Sequence, residues 1–441
     1  MRVALIALMD NTAGDGSDEA GFDGGGQVVG HSGFSAPGFM APGFLDVAGH
    51  SIARHQVALA LALGCTRIVV HAETLDPEIV EIQHAAEQRG ARFHVIAAAR
   101  ALVPLVSPED ELFVFAEGLL AMPDEARRLL DEAPGVLVLP VEIGTPAGFE
   151  RIDINHAWAG AMRLSGRVVA MLGDLPSDWN PVAALLRLAT QARLPLRAVP
   201  GVLVDQGRWR LVRTEQEADL AENDWLVLHT ATDHVRSPGE WLAVKAVRRL
   251  GPALLHAHTR PWLVGMAAVL LALLGLGAGW WGWTALGLAL VGLGWVVLQV
   301  ARLLGRVERD CLLVTGGPVR GGGMLPFVID AALVGVCAWH GLGHGLEHGP
   351  GGSTGGDPAQ AGGWFAPLVL ILLLWLLPAI LRGFRWTAWL CDRLVLAGGL
   401  ALVAMVLPLD GALRIVDVLL LATALGQAHG LIPNRLLTSG T

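Results

Sequence analysis

The sequence predicts two structural halves: an α/β domain over residues 1–259, built on a mostly parallel sheet, and an all-α domain of six transmembrane helices over residues 260–441. Three observations carry this expectation. The chain is 53% apolar and only 16% charged, with a mean hydropathy of +0.52, too greasy for an ordinary soluble protein of 441 residues. Charge is uneven, because residues 1–259 hold 21 of the 31 basic and 32 of the 40 acidic groups, a net of −11, while the remainder nets +2. Finally, short β-branched runs alternate with helical stretches in the front part, whereas long apolar runs follow one another in the back.

In the front part the apolar runs predict strands at 2–8, 67–71, 92–96, 112–116, 135–140, 167–171 and 196–199, and helices at 51–63, 77–89, 123–131 and 180–192. The helix at 180–192 has its start chemistry written out, with Asn180 as N-cap and Pro181 at the first helical position. Residues 11–43 are glycine-rich without periodicity and too long for an ordinary connection, which predicts either a flexible active-site loop or a disordered segment. The N-terminal apolar run is too short for a signal-peptide core, so the front domain is expected in the cytoplasm.

In the back part six stretches approach the roughly 20 residues a helix needs to cross a bilayer: 262–280, 284–301, 324–342, 365–381, 394–409 and 411–431. Arg260, Arg302, Arg306, Arg309, Arg320, Arg382, Arg385, Arg393 and Arg435 fall on one side of these spans, with only Arg414 opposed. By the positive-inside rule both termini are then cytoplasmic, in a multi-pass inner-membrane protein. Trp262, Trp280, Trp281, Trp283, Trp339, Trp364, Trp386 and Trp389 cluster at span ends, as interfacial anchors do. Asp330 and Asp417 lie inside spans, where a carboxylate usually faces a polar interior.

Several function classes drop out. The acidic front part excludes nucleic acid as a partner, since binding phosphates needs a basic surface. Lys245 is the only lysine, which removes a phosphate loop ending in Gly-Lys-Ser/Thr and a Schiff-base lysine. Cys65, Cys311, Cys337 and Cys391 are too dispersed for a zinc ribbon or a disulfide framework and read as buried small apolar residues. His340, His344, Glu347 and His348 have helical metal-ligand spacing, yet the interleaved Gly341, Gly343, Gly345 and Gly349 favour a loop.

The order of elements in the front part, with Ala13-Gly14-Asp15-Gly16-Ser17 after the first strand and Leu112–Glu117-Gly118 closing the fourth, resembles the nucleotidyltransferases of the nucleotide-diphospho-sugar transferase fold. The resemblance implies that Gly14, Gly16 and Ser17 wrap nucleotide phosphates, and that Glu117, where the family has aspartate, offers an oxygen to Mg²⁺. The family's loop carries an arginine and a lysine; this one carries Asp10, Asp15, Asp18, Glu19 and Asp23, implying altered or lost chemistry.

A soluble domain of this kind fused to spans resembles bifunctional enzymes whose membrane half is a CDP-alcohol phosphotransferase. That half reads D-x-x-D-G-x-x-A-R-x8-G-x-x-x-D-x-x-x-D. Laid on this sequence, Gly305 and Glu308 fall on its first two aspartates, Gly322 on its later glycine, and Pro326 and Asp330 on its last two aspartates. Glu308 and Asp330 are thus the implied metal ligands, and Arg306, Arg309 and Arg320 the implied lipid head-group contacts. With both motifs degenerate, the resemblance implies a divergent or catalytically impaired protein of lipid head-group metabolism, taking a nucleotide or phospho-alcohol and pairing as a homodimer through its spans. The alternative class is a non-enzymatic membrane scaffold or lipid-handling transporter with a nucleotide-sensing domain.

Overall fold

A computed structural model describes residues 1–8, 41–72, 74, 76–175, 179–230, 237–256, 261–312, 324–346, 365–380, 389, 392–406 and 409–428. The chain divides into two compact units, one built on Met1–Leu228 and one on His229–Glu308 with the helices that follow.

The first unit contains β1 (Arg2–Ala7), β2 (Asp46–Val47), β3 (His50–Ser51), α1 (Ile52–Ala62), β4 (Arg67–His71), α2 (Pro77–Glu87), β5 (Arg92–Ile96), β6 (Glu111–Phe115), β7 (Leu119–Ala121), α3 (Pro123–Leu130) and β8 (Gly135–Pro140). It continues with α4 (Val141–Gly144), β9 (His156–Ser165), α5 (Gly166–Ala170), α6 (Pro181–Gln191), β10 (Leu196–Ala198), α7 (Gly201–Asp205) and β11 (Trp209–Leu211), and α8 (Glu215–Thr230) runs to its edge. Seven strands form one sheet in the order β10-β8-β9-β6-β1-β4-β5, in which β9 is antiparallel to both β6 and β8 and the other pairings are parallel.

Both faces of the sheet are covered, which is why its strands read as continuous apolar runs. Ala4 and Ile6 of β1 belong to a core with Val57 of α1 and Ile79 and Ile82 of α2, while Val3 and Leu5 belong to a second core with Val182, Leu185 and Ala189 of α6. Helix starts follow local chemistry. Ser51 accepts from the Arg54 amide at 3.4 Å to open α1, and Asn180 Oδ1 accepts from the Val182 amide at 2.9 Å to open α6.

The predicted strand at 167–171 is corrected: this run is α5, and the strand of the region is the preceding β9. The β-branched pair Val168 and Val169 suggested extension. However, Gly166 lies so close to the Ser107 carbonyl that the chain must turn there, and its amide donates to the Asp110 carbonyl at 2.8 Å. Cys65 and Cys337 are buried, as expected of small apolar residues, and burial pushes the Cys65 thiol up to about 12.

At the end of the sheet away from the carboxyl termini of β1 and β6, Glu111 accepts from Arg2 Nε at 3.2 Å and pairs with Arg163. Both guanidiniums lie over the Phe113 ring, at 5.5 and 5.6 Å. Burial would raise the Glu111 carboxyl, but the Arg163 hydrogen bond and the charges of Arg163 and Arg2 outweigh it and hold it below the usual range. A depressed folded value stabilises above the unfolded pKa of about 4.3 and is lost as pH falls through the folded value. The protection of amides in β6 and β9, relative to their intrinsic exchange at each pH, is therefore expected to fall below about pH 4 in the native chain, and Glu111→Gln should flatten that acid limb while lowering protection at neutral pH.

The second unit holds α9 (Pro238–His256), α10 (Pro261–Trp280), α11 (Thr284–Leu312), α12 (Leu325–Leu346), α13 (Phe365–Ile380), α14 (Arg393–Val406) and α15 (Leu409–Ala428). Helices stand at all six places predicted for spans. Among the described residues only Pro261–Trp280 and Thr284–Arg309 are long and apolar enough to cross a membrane. Of the others, α13 is described over 16 residues and α14 over 14.

Helices α10 and α11 approach closely through small residues, a Cβ on Gly275 falling 2.6 Å from the Gly287 carbonyl. Inside the unit Asp330 of α12 is buried, with Arg393 Nε at 3.0 Å and Nη2 at 3.2 Å and Trp375 Nε1 at 2.9 Å. Arg393 also lies over the Trp295 ring at 4.9 Å, and Phe327 stacks on Trp375 at 4.3 Å. Next to it, Asp392 accepts from the Leu394 amide at 3.0 Å, opening α14, and from the Gly239 amide of α9 at 2.6 Å.

Candidate functional site

The chain runs from β1 outward to β4 and β5, then returns to β6 on the other side of β1. Where successive connections leave in opposite directions, a crevice opens outside the carboxyl ends of the two strands, the usual ligand position in such sheets. A cleft of about 490 Å³ lies there, lined by Ala7 at the end of β1, by Ala116 and Glu117 after β6, and by Trp158, Asn180 and Arg213.

Glu117 sits on a turn fixed from several directions. Gln56 Nε2 of α1 donates to the Ala116 carbonyl at 2.7 Å and the Leu119 carbonyl at 3.0 Å. Gly118 adopts φ +76°, and a Cβ there would overlap the Val212 carbonyl. The Val212 amide donates to the Gly118 carbonyl at 2.9 Å, and the Ala116 amide to the Gly160 carbonyl at 2.7 Å. Gln56 and Gly118 thus make the half-buried Glu117 carboxylate a rigidly carried group.

Remaining walls come from distant segments. Antiparallel pairing of β7 with β11 brings Arg213 and Thr214 to the rim. There Thr214 Oγ1 accepts from the Glu217 amide at 3.2 Å and the Glu217 carboxylate accepts from the Arg213 amide at 2.7 Å, a reciprocal cap for α8. Asn180 and the first turn of α6 form another side, and Phe149 and Trp158 an apolar one. The cleft therefore presents two carboxylates, Glu117 and Glu150, against the guanidinium of Arg213.

Of the residues the sequence singled out, Glu117 lines the cleft, while Gly14, Gly16 and Ser17 lie outside the described residues. Glu308 is half-buried near the end of α11, where Arg306 is exposed and Arg309 half-buried; Arg320 is outside the described residues. Both Asp330 oxygens are engaged by Arg393 and Trp375. His340 and His344 fall in the last turns of α12, and His348 lies outside the described residues. Among the described residues no three His, Cys, Asp or Glu side chains gather as a metal site. Mg²⁺ commonly takes one or two carboxylates, keeps waters and completes its shell with substrate phosphates. Glu117 fits that mode alone, not a metal cage formed by the protein.

No protein-family model and no curated protein matches the chain. It is similar to solved nucleotidyltransferase structures. A Bacillus anthracis protein described as a glucose-1-phosphate thymidylyltransferase shares 12% identity over 50% of this chain and 94% of its own, with a TM-score of 0.35. A UDP-glucose pyrophosphorylase from Acinetobacter baumannii shares 12% over 52% of this chain and 94% of its own, with a TM-score of 0.35. A UDP-glucose pyrophosphorylase complexed with UDP-glucose shares 13% over 42% and 89%, with a TM-score of 0.28.

Proposed function

We propose that Met1–Leu228 is a nucleotide-binding domain of the nucleotidyltransferase type, joined to a membrane-embedded helical unit that serves lipid head-group synthesis. The observation that supports this most is the cleft at the switch between β1 and β6 with Glu117 on its floor. Glu117 would hold Mg²⁺, which would supply charge neutralisation at the nucleotide's phosphates; Arg213 meets a phosphate at the rim, and Phe149 and Trp158 pack the base or sugar. Gly14, Gly16 and Ser17, outside the described residues, are the further phosphate contacts of this reading. Among the described residues lining the cleft only Arg213 is basic.

In the helical unit α10 and α11 cross the bilayer as a pair, which leaves the chain before and after them on one face, the cytoplasmic one. Arg306, Arg309 and Arg320 contact anionic head groups. Phosphotransfer by a two-metal site is not part of the proposal, because Arg393 and Trp375 occupy Asp330.

Calorimetric titration of the full chain in detergent with CTP and other nucleotides, with and without Mg²⁺, tests the reading. Saturable, Mg²⁺-dependent binding is expected. Loss of one charge-assisted contact in Glu117→Ala should weaken it about 10- to 100-fold. No binding to any nucleotide would overturn the enzyme class and leave the membrane scaffold.

A further inference from the structure

Helix α9 ends four residues before the first crossing helix and is not itself a span, since Glu240, Lys245, Arg248 and Arg249 interrupt it. Its inward positions are small or β-branched, with Ala243, Val244 and Val247 buried. On its outward arc Trp241 is 51% exposed and Leu250 56%, beside Leu242, values that leave large apolar side chains in water. Lys245, Arg248 and Arg249 share that arc, and Lys245 Nζ lies 4.8 Å from the centroid of the Trp241 ring, one helical turn away. From Trp241 to Val307 the sequence contains no acidic residue, while Lys245, Arg248, Arg249 and Arg260 precede α10.

A helix face combining exposed Trp and Leu with Lys and Arg matches the boundary of an anionic bilayer, where rings and aliphatic groups enter the headgroup level and cations meet lipid phosphates. An aqueous protein partner is the poorer fit: the chain leaves α9 for a crossing helix within a few residues, so this arc stays close to the membrane plane. We infer that α9 lies on the surface of an anionic leaflet, seated by Trp241, Leu242 and Leu250 and held by Lys245, Arg248 and Arg249. The inference rests on the reading of α10 and α11 as bilayer-crossing helices. It adds a lipid-charge requirement that those helices do not have.

The test uses the full chain, with its four cysteines changed to alanine, reconstituted in phosphatidylcholine vesicles and in vesicles of phosphatidylcholine and phosphatidylglycerol in equal parts. A nitroxide is attached at Leu250→Cys and, separately, at Leu270→Cys within α10, and its collisions with oxygen and with a water-soluble nickel chelate are compared. The label at 250 should be oxygen-accessible and chelate-shielded in the anionic vesicles and revert to water in phosphatidylcholine alone. Lys245→Glu with Arg249→Glu should shift that seating equilibrium toward water by about 25-fold or more, taking roughly fivefold per basic residue lost. A label at 250 that stays in water in both vesicles, or is shielded from both reagents by protein, overturns the inference while a bilayer signal at 270 leaves the crossing helices standing. Equal seating in both vesicles overturns the charge requirement. A label at 270 that reports water overturns the membrane reading itself.

Discussion

Arg393→Met is expected to destabilise the helical unit by about 3–5 kcal/mol, the usual cost of leaving a buried charge without its partner. Asp330 is 2% exposed and takes two hydrogen bonds from Arg393, so among the described residues the variant leaves the carboxylate only Trp375 Nε1. For a unit of this size the midpoint of thermal unfolding should fall by roughly 10 °C. The control is Asp330→Leu combined with Arg393→Met, which removes both charges and should recover most of the loss. A single variant that unfolds at the native temperature would show that the pair is dispensable. A double variant no better than the single would show that packing around Trp295 matters more than charge.

Gly118→Ala is the second large effect. Its φ of +76° is in the left-handed region, costing an L residue roughly 1–2 kcal/mol. The added Cβ also overlaps the Val212 carbonyl, which forces the β7–β11 pair apart, and such overpacking costs about 1–3 kcal/mol more. The same shift moves Glu117 on the floor of the cleft and Arg213 on its rim apart. Nucleotide affinity should fall at least as far as in Glu117→Ala, and urea unfolding of the first unit should begin at lower denaturant. Gly90→Ala is the comparison: φ is +80° there, but nothing lies within 4 Å of the new Cβ. It should carry the backbone cost alone and leave the ligand untouched.

Much of the first unit's frame is legible in the residues because its strands are β-branched runs bounded by turns. β4, β5 and β8 have the predicted limits, and Asn180-Pro181 opens α6 as the start chemistry requires. The central β9 was hidden for the opposite reason. Ala157, Ala159, Gly160 and Ala161 give it no strand signature, and small side chains are what its crowded place between β6 and β8 accommodates. Glu117 could be found from the end of β6, whereas Arg213 and Trp158 enter the cleft only through the pairing of β7 with β11 and the return of β9. In the helical unit the tryptophans at helix ends drew the eye, yet Trp295 and Trp375, in mid-helix, mark the buried Asp330–Arg393 pair. Arg393 had looked like a topology marker because an arginine at a span end serves that role in most membrane chains.

Asp392 closes the first turns of two helices at once. Its two oxygens take the Gly239 amide of α9 and the Leu394 amide of α14, and Gly239 is glycine where any Cβ would sit 2.6 Å from that carboxylate. The next residue along is Arg393. A torque on α9 is therefore delivered, through one side chain and one peptide unit, to the guanidinium that neutralises Asp330. The two helices share a pivot, and neither can rotate at its start without breaking a charge-assisted hydrogen bond on the other.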